Sequence, residues 1–340
     1  PKLVEHTHTS YPVGHLTTLY WIGLEPGDVH LNVASPGWAK HAWSNFFAPW
    51  IAEATIFVHN ARKFDPAALM ANMERYGVTS FCAPPTVWRM LIKADLAQLT
   101  TPPTKTISAG EPLNAEVIDQ VHRAWGTTIR DGFGMTETSP VLTANPMNGK
   151  HRPGYVGVPF PDTEVRIANP ENLDETQPDG QPGEMLARGP QIFQGYFSNA
   201  AATEKTFHNG WFRTGDMALM EPDGYIKLVS RIKEIIITGG FNVYPAEVEE
   251  AIAQHPDVVD VAAVGRPRQD GSEDVVGCVT LRDGAVLDPE GLKEFCRERL
   301  TRYKVPRTFY HFEELARDHL GKIRRHQVRK DLLELLEAKA

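Results

Sequence analysis

The stretch Asp131–Pro140, which reads DGFGMTETSP, offers a hydroxyl and a carboxylate side by side just after a predicted strand end. Glycine has no Cβ, so the glycines of this stretch let backbone come close to a ligand. Thr136 can hydrogen-bond a phosphate oxygen, and Glu137 can hold Mg²⁺, a hard cation that prefers oxygen ligands. The pattern indicates a nucleotide site, and the alternative that it leaves open is an ordinary glycine turn with a solvated glutamate.

Helices and strands alternate through residues 1–140, and this alternation predicts a largely parallel sheet. The predicted strands include 78–83 and 127–130, and the latter delivers Asp131. Ligands of such sheets lie at the carboxyl ends of strands, which is where Asp131 stands. Helices are predicted to begin at Pro66, Thr86 and Asn114, and their predicted inward residues are Leu69, Met70, Met73, Val87, Met90, Leu91, Val117, Val121 and Ala124.

Turn-forming residues become dense after residue 140, with short strand-like runs at 163–168 and 184–188. This pattern predicts a small β-rich subdomain. The pattern from residue 231 onward predicts a compact α+β lid, with a strand at 235–238, a glycine turn and a helix at 245–255. We therefore expect an α/β fold in three parts, which are 1–140, 141–230 and 231–340.

Composition narrows the class of protein. Of the 340 residues, 41% are hydrophobic and 23% charged, which allows buried cores and argues against disorder. The net charge of −8 argues against non-specific nucleic-acid binding. No apolar run approaches the ~20 residues of a membrane span. The three cysteines are far apart and read as reduced thiols of a cytoplasmic protein. His6, His8 and His15 lack the spacing of a zinc site, so we expect structural or solvent roles for them.

Further motifs follow Asp131–Pro140 in a fixed order, and together they carry a family resemblance. The chain resembles the adenylate-forming enzymes, namely acyl-CoA synthetases, adenylation domains and firefly-type luciferases, over essentially its whole length. The matching segments are Gly154–Pro159, Gly210–Asp216, Arg231–Gly240, Tyr244–Glu249 and Leu320–Ile323.

The resemblance implies a ligase that uses ATP, Mg²⁺ and CoA to convert a carboxylic acid into its acyl-CoA. The acid attacks the α-phosphate of ATP, and the CoA thiol then displaces AMP from the acyl-AMP. By position, Thr136 would touch the α-phosphate and Glu137 would hold Mg²⁺. Lys322 would bridge the acid and the α-phosphate, where a cation offsets developing charge. The approach to Lys322, residues 316–320, departs from the family's usual pattern.

The resemblance also implies a set of nucleotide and CoA contacts. Gly110, Glu111, Pro112, Asp131, Gly132 and Phe133 would form the adenine cleft; Asp216 and Arg231 would hold the ribose; Lys2 would end the phosphate loop; and Gly239 and Gly240 would face the pantetheine of CoA. One carboxylate can accept both ribose hydroxyls. The alternatives are a core aromatic for Phe133, a turn aspartate for Asp216, a surface ion pair for Arg231 and a plain turn for the two glycines. Lys233 would be the hinge of a lid rotation between the half-reactions.

The acid pocket is predicted from the segments 35–41 and 81–88, which resemble those of short- and medium-chain acyl-CoA synthetases. Trp38 would gate the thiol tunnel, and Trp88 would line the pocket. Acetate-specific relatives carry a tryptophan where this chain has Gly134, so we expect room for a medium-chain, branched or aryl acid. Lys40 is the charged residue here that could meet a polar substrate tail.

The chain starts with Pro1-Lys2, which in the family ends the phosphate loop. We therefore expect a C-terminal fragment that adenylates poorly alone and exposes an apolar face, which would favour homo-oligomers. Two alternatives to the CoA ligase stay open: an acyl-AMP ligase that loads a carrier protein, and a non-catalytic nucleotide- or CoA-binding remnant.

Overall fold

The structure is a computed structural model that describes residues 2–61, 64–110, 113, 115–268, 271–317 and 323–338. Its contacts divide the chain into two compact units. The first comprises residues 1–214 and 218–228, and the second comprises residues 215–217 and 229–340. The predicted boundaries at 140 and 230 stay a prediction.

A mixed sheet with flanking helices forms the first part of the first unit. Its elements are β1 (Val4–Glu5), α1 (Ser10–Ile22), β2 (Val29–Asn32), α2 (Ala39–Ala42), α3 (Ala48–Ile51), β3 (Thr55–Ile56), α4 (Pro66–Tyr76), β4 (Ser80–Ala83), α5 (Pro85–Leu91), β5 (Lys105–Ser108), α6 (Ala115–Trp125), β6 (Arg130–Gly134), β7 (Val141–Ala144) and β8 (Val158–Pro159). A π-helical turn, Trp43–Phe47, joins α2 to α3.

Within the described residues, seven strands pair in the order β3-β2-β4-β5-β6-β7-β8. The pairs β2–β3, β2–β4, β4–β5 and β5–β6 are parallel, and β7 and β8 are added antiparallel. The predicted fold class, a partly parallel α/β sheet followed by smaller subdomains, is confirmed. Because the carboxyl ends of β4, β5 and β6 share one edge, residues after each strand come together there.

The helix α4 shows how local sequence sets these elements. The Asp65 carboxylate accepts hydrogen bonds from the backbone N–H groups of Ala67 and Ala68, at 2.9 and 3.2 Å. Pro66 occupies the first helical position, and Gly77 ends the helix at a φ of 61°. These are the preferred residues at the two ends of a helix. The predicted inward residues Leu69, Met70 and Met73 are fully buried.

Three details of the prediction are wrong. Met90 is 39% exposed, because the bulky Trp88 takes the inward position and Met90 lies about 200° around the helix from it. Ala124 is exposed, and Trp125, about 40° from Val121, takes its place in the core. The strand begins at Arg130 rather than Thr127, so the adenine-cleft residues belong to β6 itself.

The rest of the first unit is β-rich, as predicted. The elements here are β9 (Glu164–Asn169), β10 (Asn172–Thr176), β11 (Gly183–Arg188), β12 (Gly195–Tyr196), α7 (Ala200–Glu204), β13 (Phe207–His208), β14 (Trp211–Met220) and β15 (Ile226–Arg231). Some residues of β14 and β15 are counted in the second unit. Six strands pair in the order β10-β9-β11-β14-β13, with β15 on β14. The short strand β12 instead pairs antiparallel with β1, where Tyr196 stands opposite Val4. This pairing brings the start of the chain beside residue 196.

The second unit has the predicted α+β composition. Its remaining elements are β16 (Ile236–Thr238), β17 (Phe241–Val243), α8 (Pro245–Ile252), β18 (Val258–Pro267), β19 (Glu273–Leu281), α9 (Pro289–Arg297), β20 (Thr308–His311) and α10 (Arg325–Glu337). Gly239 and Gly240 have φ of 54° and 81°, which fits a two-residue hairpin turn between β16 and β17. The predicted strand, glycine turn and helix are therefore confirmed, although α8 ends three residues early.

The three cysteines are unpaired and buried. Burial raises the pKa of the Cys278 thiol to about 12 and that of Cys296 to about 11. Desolvation penalises the thiolate, which is the reactive form.

Apolar side chains are exposed on α1 and along residues 43–51. They are Leu16, Tyr20, Phe46, Trp50 and Ile51, each at least 40% exposed. The expected apolar face for an N-terminal part and the self-association both stay predictions. None of the helices in the described ranges has the length and apolar character to cross a bilayer.

Candidate active site

A short turn, Thr136–Thr138, follows β6 and presents the residues that were predicted to meet phosphate and Mg²⁺. The Thr138 hydroxyl donates to the Pro140 carbonyl at 2.6 Å, and Thr138 is fully buried. Thr136 is exposed, and Glu137 is half-buried. The turn therefore anchors itself through residue 138 and leaves residues 136 and 137 at the surface.

Two distant side chains fix this turn. The Tyr196 hydroxyl donates to Oε1 of Glu137 at 2.8 Å, and burial together with the Glu137 carboxylate raises the pKa of Tyr196 to about 12. His6 Nε2 lies 2.7 Å from the Thr136 carbonyl oxygen. Because a carbonyl only accepts, that nitrogen carries the proton. Burial lowers the pKa of His6, which favours this neutral form. Sequence reasoning gave His6 a structural or solvent role and missed Tyr196.

Lys2 also belongs to this neighbourhood. Its Nζ lies 4.1 Å from the centroid of the Tyr196 ring. A cation over an aromatic face is attracted by the ring quadrupole. Tyr196 contacts both Lys2 and Glu137, so these two residues and the adjacent Thr136 lie close together.

The predicted adenine-cleft residues occupy β6. Asp131 is 4% exposed, and its Oδ1 has no hydrogen-bond partner in the described part of the chain. Burial raises the pKa of Asp131 well above its ordinary value, although a backbone hydrogen bond from Leu113 opposes this. Phe133 is 9% exposed and packs in a core cluster with Leu142, which matches the core-aromatic alternative. A Cβ at Gly132 would lie 2.8 Å from the Trp21 ring.

The two predicted ribose residues form an ion pair within the second unit. Arg231 Nε lies 2.8 Å from Oδ1 of Asp216. Asp216 is 5% exposed, whereas the Arg231 side chain is 47% exposed. A carboxylate offers about four lone-pair sites, so an ion pair does not by itself exclude hydrogen bonds from two ribose hydroxyls. The ion-pair alternative for Arg231 therefore holds, and it is compatible with the ribose role.

Near the glycine turn of the second unit lies a basic pocket of about 280 Å³ that the sequence did not reveal. Thr238, which precedes Gly239, lines it together with Tyr303. Five cationic side chains and one carboxylate line it as well: Arg268, Lys293, Arg297, Arg302, Arg307 and Asp274. The excess of cations suits a polyanionic ligand. Lys233, the predicted hinge, is exposed in the short turn Ile232–Glu234.

The residues of the predicted acid pocket lie in different surroundings, and the pocket itself stays a prediction. Trp88 is fully buried and donates its ring N–H to the Ile107 carbonyl, so it belongs to the core. Trp38 is half-buried at the start of α2. The expectation that Gly134 leaves open space is wrong, because a Cβ there would lie 1.6 Å from the Pro140 oxygen.

Unpaired polar groups lie buried near α2. The Lys40 ammonium has no exposure and no hydrogen-bond partner within the described ranges. The same holds for both amide atoms of Asn32 and for Nε2 of His30. Lys40 also contributes to the lowered pKa of His30, after the larger effect of burial, so the two are close in space. This cluster is polar, whereas the predicted fatty or aryl acid would need apolar walls.

Three predicted site residues, Glu111, Pro112 and Lys322, lie outside the described residues. Gly110, which is described, has a φ of 111° and open space where a Cβ would stand.

The residues described include no group of three or more His, Cys, Asp or Glu side chains that could hold a metal by themselves. Mg²⁺ at nucleotide sites needs only one or two carboxylates, since phosphates and water complete its shell. The half-buried Glu137 carboxylate, with Oε1 held by Tyr196, fits that donor set.

The chain belongs to the family of AMP-binding enzymes. The family model of that description matches residues 1–197, and the model of the AMP-binding enzyme C-terminal domain matches residues 247–322. The chain is 38% identical to 4-hydroxybutyrate–CoA ligase 1 of Metallosphaera sedula, over 97% of this chain and 60% of the relative. It is 35% identical to the mitochondrial acyl-coenzyme A synthetase ACSM3 of Mus musculus, over 97% of this chain and 58% of that protein.

A solved structure is similar throughout. ATP-bound MatB from Rhodopseudomonas palustris superposes with a TM-score of 0.90 at 29% identity, covering 98% of this chain and 66% of that one. The chain thus spans about 60% of the length of the curated relatives it matches.

Proposed function

We propose that this chain carries the nucleotide and thiol sites of an AMP-forming acid–CoA ligase. The observation that supports this most directly is the exposed Thr136 beside a Glu137 carboxylate fixed by Tyr196, at the carboxyl end of a parallel strand. A hydroxyl for phosphate and an oriented carboxylate for Mg²⁺ are what an ATP-using site needs.

The first half-reaction would form a bond between an acid oxygen and the α-phosphorus and break the bond to pyrophosphate. The Thr136 hydroxyl would donate to an α-phosphate oxygen, and Lys322 would offset the charge that grows there. Asp131 and Asp216 would hold adenine and ribose, with Gly110, Glu111, Pro112, Gly132 and Lys2 completing the nucleotide contacts. Mg²⁺, when bound at Glu137, would neutralise phosphate charge. In the second half-reaction the thiol sulfur would bond to the acyl carbon, and AMP would leave.

We propose CoA as the thiol acceptor. The five cations of the basic pocket, four of which also pair with Asp274, Glu290 or Glu294, would offer contacts for the phosphates of CoA. They lie next to the Gly239-Gly240 turn, which would face the pantetheine arm. A phosphopantetheine on a carrier protein is the alternative, and it lacks the nucleotide that such a pocket would bind. The hinge role of Lys233 belongs to the same proposal.

We propose an acid larger than acetate with an oxygen-bearing far end. The lack of space at Gly134 gives no support for a larger acid. The buried Lys40 ammonium and Asn32 amide instead favour a substrate that supplies a hydrogen-bond partner for them. An unpaired buried charge is strongly unfavourable, and a carboxylate or hydroxyl would relieve it. The 4-hydroxybutyrate–CoA ligase relative, by its name, takes an acid with a terminal oxygen. The unpaired thiols fit the cytoplasmic location that belongs to this proposal.

The test is calorimetric binding of AMP, ATP and CoA to the 340-residue chain, followed by acid-dependent pyrophosphate release with acetate, hexanoate, 4-hydroxybutyrate, adipate and benzoate. Binding of all three, with release for one acid, would support a ligase. Binding without release for any acid, both in this chain and in a version extended upstream through a phosphate loop, would favour the non-catalytic alternative. If the chain does not bind CoA but transfers the acyl group to a holo-carrier protein, the carrier-loading enzyme would be favoured.

A further inference from the structure

Residues 193–196 hold Glu137 through both its backbone and its side chain. The Phe193 N–H donates to the Glu137 carbonyl at 2.9 Å, and the Tyr196 hydroxyl donates to Glu137 Oε1 at 2.8 Å. Tyr196 is itself immobilised, with 8% exposure and its ring 5.0 Å from that of Phe193. The segment is remote in sequence, since Tyr196 lies 59 residues after Glu137.

The hydrogen bond leaves the carboxylate able to bind a cation. Tyr196 uses one lone pair of Oε1, and a carboxylate offers about four lone-pair sites, so Oε2 and part of Oε1 remain for a metal. A glutamate side chain that is already fixed loses less rotamer freedom on binding than a mobile one. Partners that orient metal-binding groups in this way contribute substantially to metal affinity.

We propose that Tyr196 is a positioning residue that fixes the Glu137 carboxylate for Mg²⁺, and thereby sets how strongly nucleotide binding depends on Mg²⁺. This inference rests on the proposed function, because it takes Glu137 as the magnesium residue. Tyr196 acts through Glu137 and touches no substrate in this role. Its ring also lies under Lys2, so removal of the hydroxyl alone is the clean perturbation.

The experiment measures ATP affinity by calorimetry, in EDTA and across a Mg²⁺ titration, for the unaltered chain and for Tyr196→Phe. We expect Tyr196→Phe to bind ATP in EDTA within about twofold of the unaltered chain and to require about tenfold more Mg²⁺ for the same gain in affinity. The matched control is Tyr155→Phe, which removes a phenol–carboxylate hydrogen bond of 2.7 Å to Glu221 in the same unit. It should change neither quantity.

A double-mutant comparison separates positioning from general support of the fold. If Tyr196 acts through Glu137, Tyr196→Phe should have no further effect on Mg²⁺ dependence in a Glu137→Gln background. Thermal unfolding of each variant verifies folding. An unchanged Mg²⁺ dependence in Tyr196→Phe, or an equal loss of ATP affinity with and without Mg²⁺, would overturn the inference while leaving the proposed function intact. Failure of the unaltered chain to bind ATP with Mg²⁺ would instead overturn the proposed function, and the inference with it.

Discussion

A Cβ atom at Gly134 would lie 1.6 Å from the backbone oxygen of Pro140. That oxygen also accepts the N–H of Met135 at 3.0 Å, in the tight return from β6 to β7. The turn that carries Thr136 and Glu137 therefore requires glycine at position 134. A side chain at this position would point at the backbone rather than at a substrate.

Gly134→Ala should destabilise the chain by about 3 kcal/mol, because the backbone of Pro140 cannot move away without breaking the turn. Thermal and urea unfolding would measure the loss. Gly37→Ala is the control, since Gly37 has open space around it and no positive φ. Equal unfolding midpoints for the two variants would contradict the turn geometry.

Asp131→Asn should stabilise the chain increasingly as pH rises. The raised pKa of Asp131 means that the folded state holds a proton that the unfolded state releases above about pH 4, so folding loses about 1.4 kcal/mol per pH unit up to the folded pKa. Asparagine removes this dependence while keeping an acceptor. Urea unfolding at pH 5, 6 and 7 would show that the difference in free energy of unfolding between Asp131→Asn and the unaltered chain widens with pH. A gap that is constant with pH would show that Asp131 titrates normally.

His30 should make the chain sensitive to acid. Burial lowers the pKa of His30 to about 4, so the unfolded chain takes up a proton below pH 6.5 that the folded chain refuses. Stability from this residue is full above pH 6.5 and falls by roughly 3 kcal/mol as pH drops to about 4. His30→Asn, which keeps a group near Ser80, should flatten this part of the pH profile, whereas His8→Asn at an exposed position should not. Identical profiles would refute the assignment.

Asp216→Asn should weaken AMP binding by tenfold or more. A neutral amide loses the charge that strengthens hydrogen bonds to two ribose hydroxyls, and such bonds contribute about 1.5–3 kcal/mol. Calorimetry with AMP would measure the change. Asp223→Asn, which breaks a half-exposed pair with Arg152, is the matched control. Unchanged AMP affinity in Asp216→Asn would leave the pair with Arg231 as a purely structural contact.

Lys40→Met should lower activity with acids that carry an oxygen at the far end more than activity with unsubstituted fatty acids. The apolar side chain removes a buried ammonium, so the variant should unfold at a higher temperature than the unaltered chain. Pyrophosphate release with adipate or 4-hydroxybutyrate should fall at least tenfold, while release with hexanoate should persist. Lys93→Met, at an exposed position after α5, is the control. Parallel losses for all acids would place Lys40 outside acid selection.

Much of the fold was predictable from local signals. Asp65-Pro66 and Gly77 mark α4 because capping and positive φ depend on a few adjacent residues. The pair Gly239-Gly240 predicted its hairpin for the same reason. Met90 and Ala124 were misplaced because short helices leave the choice of inward face to packing against bulky partners such as Trp88 and Trp125.

The site was predictable where one motif holds it and hidden where distant segments meet. Thr136 and Glu137 could be selected from ten consecutive residues. Tyr196 and His6 could not, since their roles depend on the β1–β12 pairing and on contacts across more than fifty residues. The pairing of Tyr196 with Val4, two residues after Lys2, leaves no periodic signal in the sequence. The direction in which Gly134 faces is likewise set by the return of the chain at Pro140.

The burial of Cys82, Cys278 and Cys296 makes the chain a convenient host for site-directed probes. Thiols that are hidden from solvent, two of them with strongly raised pKa values, react slowly with alkylating reagents at neutral pH. A single cysteine introduced at an exposed position, such as residue 233, would therefore accept a fluorophore or spin label selectively. Movements around the Ile232–Glu234 turn could then be followed without first removing the native thiols.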